Sequence, residues 1–175
     1  MPNEKEVKIP EFDWKRIGDI GAGRKNLGQL VPVAVYRLMQ FTLFDCIEAN
    51  YGTERAHDLF RKSGYSAGLA FAKNNLNLKA DFNEFVSQLQ AVLKQLMIGV
   101  LRIEKANAEK SKIVMTVSED LDCSGLPVTG ETVCQYDEGF LAGVLKAYTG
   151  AEYKVEEIDC WATGDRTCRF AADRK

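Results

Sequence analysis

The chain has 175 residues, 46% hydrophobic and 27% charged, which suits one soluble domain with a substantial core. The formal net charge is −2, and lysines and arginines are interleaved with aspartates and glutamates, so the footprint of direct nucleic-acid binding is missing. No apolar run approaches the roughly 18 to 20 residues of a membrane span, and the N-terminus MPNEKEVKIPEFDWKR is too charged for a secretory signal. A cytoplasmic location is expected.

Residues 1–28 are polar and glycine-rich, which predicts an arm with a short strand or turn ahead of a domain over 29–175. Val35, Leu38, Met39, Phe41, Phe44 and Ile47 recur at helical spacing between Val31 and Tyr51, with Pro32 suited to a first turn and Gly52 to a stop. Cys46 falls on the apolar face of that helix and is expected in the core. Thr53 can cap a second helix reaching Asn75, in which Gly64 and Gly68, one turn apart, allow another backbone to come close. The capping box DFNE, Asp81 to Glu84, opens a third helix with Phe82, Phe85, Val86, Leu89, Leu93 and Leu96 on one stripe, ending at Gly99.

Beyond Gly99 the period changes from that of a helix to that of a strand. VLRIEKA and KIVMTVSE alternate around a polar turn and predict an antiparallel hairpin. After the loop DLDCSGLPVTG, a fourth helix is expected from Glu131 to Tyr148, closed by Gly150. EYKVEEIDCWA and TCRFAAD then form a second hairpin around Gly164 and Asp165. The order of helices, hairpin, helix and hairpin predicts an α+β fold, helices packed on a small antiparallel sheet.

Five cysteines in a reducing compartment favour metal or redox chemistry over structural disulfides. Cys160 and Cys168 flank the second hairpin turn. An odd loop of three or five residues centred on Gly164 sets their sulfurs opposite each other, whereas a two-residue loop separates them. Cys134, in the first turn of the fourth helix, sits where free N–H groups favour a thiolate. For a fourth ligand Cys123 competes with a carboxylate. In a regular strand Glu156 shares the face of Cys160, and Glu157 does so only through a bulge. Against the metal stands the reading of buried thiols as small hydrophobes. Thiol catalysis finds no support, since the one histidine, His57, lies in the second helix and reads as a surface residue.

The stretch from Pro127 to Phe170 resembles the 4-vinyl reductase domain, on a Pro-Val start, Cys134, a helix with Gly139, Gly143 and Gly150, the Glu157-x-x-Cys160 motif and a final Cys168. VPVAVYRLMQFTLFD and GYSAGLAFA extend the resemblance to most of the chain beyond about residue 25. The resemblance implies a structural zinc on Cys134, Glu157, Cys160 and Cys168, as in the phenol- and xylene-responsive regulators, with Cys123 outside the ligand set. It also implies a fold shared with transport-complex subunits, a homodimer built through helices, and a cavity for a small apolar or aromatic molecule. Leu38, Phe41, Phe44, Phe71, Leu101, Ile103, Met115 and Phe140 suit such a cavity in composition, though core packing suits them equally.

The chain departs from the phenol sensors, which hold the ligand hydroxyl with a histidine and a tryptophan. His57, Trp14 and Trp161 are not placed for that role. GDIGAGRKN has the glycine spacing of a P-loop, but Arg24 stands at the lysine position with no following Ser or Thr. SEDLDCSG lacks the glycine and distant glutamate of a calcium loop, so a solvated turn is expected there. The expected function is a zinc-stabilised, stand-alone binding or sensor domain for a hydrocarbon-like ligand, acting through a partner signalling protein. The alternatives are an accessory or carrier protein for tetrapyrrole vinyl reduction and a non-enzymatic assembly subunit. An enzyme acting alone is disfavoured, since a nucleotide fingerprint and an acid–base pair are both missing.

Overall fold

In a computed structural model the described residues are 9–175, and the first eight residues of the expected arm lie outside them. The rest of the arm forms a 3-10 turn, Trp14–Ile17, and one helical turn, α1 (Ile20–Gly23). Each is capped by an aspartate, Asp13 accepting from the N–H of Lys15 and Asp19 from that of Ala22. The glycine-rich stretch is therefore an exposed turn with its own local hydrogen bonds.

Three helices follow, α2 (Val33–Tyr51), α3 (Thr53–Asn75) and α4 (Phe82–Gln95). Asp81 caps α4 by accepting from the N–H groups of Asn83 and Glu84. This helix stops before Gly99, and Met97 takes the left-handed conformation, φ 58°. Strands β1 (Val100–Ala106) and β2 (Lys112–Ser118) form the first hairpin, and α5 (Gln135–Thr149) precedes the second, β3 (Tyr153–Asp159) and β4 (Cys168–Arg174). The four strands form one antiparallel sheet in the order β1-β2-β4-β3. The chain is an α+β protein, helices packed on a small antiparallel sheet.

Alternation decides what the sheet buries. Leu101, Ile113, Met115, Val117, Val155, Phe170 and Ala172 are buried in one core with Phe85, Leu89 and Leu93 of α4 and Leu141, Val144 and Leu145 of α5. Tyr148 stacks on Phe85 with ring centroids 3.9 Å apart. The tightest helix pair is α3 on α5, and glycines make it possible. A Cβ at Gly64 would strike the carbonyl oxygen of Tyr136, and one at Gly139 the carbonyl oxygen of Arg61. Across this seam Arg61 pairs with the buried Glu138 at 2.5 Å, and Glu138 also accepts from the N–H of Glu157 at 2.8 Å. Helix and sheet are thereby joined next to the cysteines.

Helix α2 behaves otherwise and corrects one expectation. Its single buried residue is Gln40, and Cys46 is exposed. The stripe of Val35, Leu38, Met39 and Leu43 faces outward, so a cysteine on that stripe is not in the core. The opposite, polar face holds the body of the protein. Arg37 donates to the carbonyls of Leu121 and Ser124 at 2.8 and 2.9 Å, and Tyr36 donates to Asp122 at 2.8 Å.

Candidate metal centre

The second hairpin brings Cys160 and Cys168 together through its register. Asp159 pairs with Arg169, which leaves Cys160 and Cys168 next in line across the turn. The connection is longer than three or five residues. It contains a 3-10 turn, Trp161–Thr163, and Gly164 at φ 106° reverses the chain. The hydroxyl of Thr163 accepts from the N–H of Cys160 at 3.0 Å and fixes its backbone. Cys134 is the N-cap of α5, one position before the first turn.

Cys123 joins them from the loop after β2. Asp120 turns that loop inward by accepting from the N–H groups of Asp122 at 2.8 Å and Cys123 at 3.2 Å. All four cysteines are buried, and their sulfurs lie within 4.8 Å of one another. The Cys134 sulfur is 4.0 Å from that of Cys160 and 3.9 Å from that of Cys168, and Cys123 and Cys168 are 3.0 Å apart. Metal–sulfur bonds of about 2.3 Å in a tetrahedron place sulfurs about 3.8 Å apart. The first two edges match a single ion, and the third needs only to open. A buried cluster of four cysteines at this size can hold a metal ion.

The cluster's electrostatics point the same way. Hydrogen bonding with Cys123 pulls the Cys160 thiol down and pushes the Cys134 and Cys168 thiols up, so the four sulfurs share protons around one thiolate. A cation removes that conflict by taking all four as thiolates.

Glu157 stands beside the cluster. The register shifts between Glu157 and Asp159, and this bulge turns Glu157 inward while Glu156 stays exposed. Its Oε2 accepts from the N–H of Cys134 at 3.1 Å, and its Oε1 is buried with no hydrogen-bond partner. Burial pushes its carboxyl up to about 8. Cys134, Cys160, Cys168 and Glu157 are thus brought together as a group, and Cys123 adds a fifth donor.

The loop SEDLDCSG overturns an expectation. It is not solvated at its carboxylates, since Asp120 and Asp122 are 4% and 3% exposed. The Asp-x-Asp-Cys run, with a short acidic side chain able to cap the N–H groups two and three residues on, carried the signal for an inward turn. His57 is half-buried, its ring 5.5 Å from that of Phe44.

The eight apolar candidates do not share one space. Phe71 and Phe140 meet edge to face at 5.1 Å and line a cavity of about 590 Å³ between the arm and the α3–α5 seam. Leu101 and Met115 are sheet core, and Ile103 lies at the α4 end of β1 beside Phe82. Phe44 packs on Phe60, while Leu38 and Phe41 line a shallow groove on α2. Sequence reasoning missed the other walls of the cavity, Phe12, Trp14, Leu59, Ala67 and Tyr136. Helical spacing marks apolar positions without showing which helix the arm will cover.

A thiol cluster clamping a hairpin to a helix N-cap, on an antiparallel sheet covered by helices, defines the class of metal-competent α+β domains. Comparison with known proteins names the family. Residues 113–174 match the 4-vinyl reductase domain, and the chain carries that domain. It is similar to an uncharacterized protein, MJ0150, of Methanocaldococcus jannaschii, 22% identical over 83% of this chain and 78% of that one. Among solved structures, the phenol-responsive sensory domain of the transcription activator PoxR with phenol has TM-score 0.63 and 15% identity, covering 84% of this chain and 76% of that one. A vinyl-4-reductase family protein of M. jannaschii has TM-score 0.58 and 20% identity, over 94% and 98%. Subunit 3 of a trafficking protein particle complex from Naegleria fowleri, covalently bound to palmitic acid, has TM-score 0.65 and 13% identity, over 82% and 95%. These likenesses are of fold. No helix among the described residues is long and apolar enough to cross a membrane.

Proposed function

We propose that this protein is a zinc-stapled domain that binds a small apolar or aromatic molecule and, as a homodimer, reports its presence to a partner protein. The observation that carries the reading is the cavity beneath the arm. Its volume is about 590 Å³, and Phe12, Trp14, Leu59, Phe71, Tyr136 and Phe140 give it an apolar lining. Two proteins of like fold carry small apolar molecules, phenol in one and palmitic acid in the other.

Helix α5 joins the cavity to the metal centre. Its N-cap is Cys134, and Tyr136 and Phe140 line the cavity within the next two turns. A ligand that presses on those rings moves a helix whose end is a metal ligand. Four protein ligands, from Cys134, Cys160 and Cys168 with Glu157 or Cys123, leave no open coordination position, so the zinc is structural. The outward stripe of α2 supplies the homodimer surface, with Leu38 and Met39 68% and 62% exposed.

Native mass spectrometry with elemental analysis on purified protein tests the reading. We expect one zinc per chain and a co-purifying apolar molecule, with Ala67→Phe abolishing the molecule and leaving the zinc. A folded chain without metal, or a bound molecule indifferent to Ala67→Phe, would overturn it. A bound tetrapyrrole would transfer the role to an accessory of vinyl reduction.

A further inference from the structure

Three inward-facing aspartates beside the thiol cluster are unexplained by the reading above. Asp120 and Asp122 come from the loop after β2 and Asp137 from the first turn of α5. A carboxylate oxygen of Asp120, one of Asp137 and the sulfur of Cys134 lie within 4.8 Å of one another, so Cys134 belongs both to this group and to the four-thiol cluster. The Oδ2 atoms of Asp122 and Asp137 are buried without any hydrogen-bond partner, although the other oxygen of Asp122 accepts from Tyr36. From α2, Gln40, 8% exposed, brings its side-chain amide against Asp122, and its Oε1 is likewise buried and unpartnered.

Unpartnered buried oxygens are costly, about 1 to 3 kcal/mol for a neutral group and more for a charged one. Three of them converge here. Among the described residues none of the three aspartates forms a salt bridge. The nearby cation, Arg37, gives its guanidinium to the carbonyls of Leu121, Asp120 and Ser124. A divalent metal on four thiolates carries net negative charge itself and so adds to the repulsion. Protons or a second cation must balance the charge.

We propose that Asp120, Asp122 and Asp137, with Gln40 and the shared thiolate of Cys134, form a second cation site, making the centre binuclear. This inference rests on the reading of the thiol cluster as a metal site. The two halves differ in chemistry. Thiolates select a soft ion, whereas carboxylate and amide oxygens with one thiolate select an oxygen-preferring divalent ion such as Mn²⁺. The second ion supplies the partners that the three orphaned oxygens lack. It also ties α2, the loop after β2 and α5 together at one point, and so couples the outward stripe of α2 to the thiol centre.

The test uses the full chain, stripped by chelator and reloaded. Co²⁺ is added first and followed by thiolate-to-cobalt absorption, then Mn²⁺ is added and its free concentration followed by electron paramagnetic resonance. The expected result is a cobalt band complete at about one equivalent, followed by tight uptake of about one Mn²⁺. Asp122→Asn and Asp137→Asn should each weaken Mn²⁺ uptake at least about tenfold with the cobalt band unchanged, which also shows that the variants are folded. Mn²⁺ that stays free beside cobalt-loaded wild type, or binds both variants as well as wild type, overturns the second site and leaves shared protons as the balance. A cobalt band that never forms overturns the thiol metal site, and this inference with it.

Discussion

Helices α5 and α2 are both rich in apolar residues, and they are used in opposite ways. Over its 15 residues α5 buries Leu141, Ala142, Val144 and Leu145 against the sheet and its glycines against α3, while α2, with 19 residues, buries Gln40 alone. The apolar side of α5 meets the core. In α2 the polar side, Tyr36, Arg37 and Gln40, meets the body, and Val35, Leu38, Met39 and Leu43 face solvent. The same spacing therefore serves two ends, a core in one helix and an outer surface suited to a second copy in the other. The metal centre lies near the start of both helices, with Cys134 capping α5 and α2 gripping the loop that carries Cys123.

The comparison is tested first at the metal. Chelation of zinc, or Cys160→Ser, should remove about 5 kcal/mol, less than the roughly 10 to 16 kcal/mol seen in zinc-finger peptides because the sheet core persists. At about 2 to 4 °C per kcal/mol, calorimetry should show the melting temperature fall by about 10 to 20 °C. A drop below about 2 °C would show that α5 is anchored by its apolar contacts alone.

Next, Gly139→Ala forces the α3–α5 seam apart, because the new methyl meets the Arg61 carbonyl. We expect a loss of about 3 kcal/mol by urea unfolding. The equivalent change on α2, Ala34→Gly or Ala49→Gly, should cost no more than about 1 kcal/mol.

Met39→Glu should leave stability of the monomer unchanged and weaken self-association about 100-fold by sedimentation or light scattering, as expected of a charge at the centre of an apolar interface. An unchanged oligomeric state would remove α2 from the dimer reading.

The smallest effect is at the surface near the foot of α5. Hydrogen bonding from Lys146, with Tyr65 assisting, holds the Glu152 carboxyl below its usual range. A lowered carboxyl contributes stability that is whole above its unfolded value, near pH 4 to 5, and is lost as acid protonates it in the folded state. Half exposure screens the pair, so Glu152→Gln should cost under about 1 kcal/mol at pH 7 and nothing once the group is protonated.

The elements were legible in the sequence because their signals are local. Period, caps and glycines placed α3 at Thr53–Asn75, the capping box at Asp81 and both hairpins, and the odd spacing about Gly164 set Cys160 opposite Cys168. The resemblance placed Glu157 beside the thiols, where a bulge indeed turns it inward. Spacing alone did not show that bulge, since a single added residue leaves no periodic trace.

Sequence by itself determined what each segment is: an apolar stripe on α2, a cap at Asp81, a thiol on each side of a turn. The tertiary structure alone decided where those features point. Cys46 and Leu38 lie on a stripe that faces outward, because α2 is held through polar contacts from Tyr36 and Arg37 that span more than 80 residues of chain. Asp120 and Asp122, polar enough to read as a solvated turn, are carried inside by the same contacts and by the neighbouring Cys123, which is drawn into the thiol cluster. Burial is a property of what packs on a residue, and for this centre the packing partners come from three separate parts of the chain.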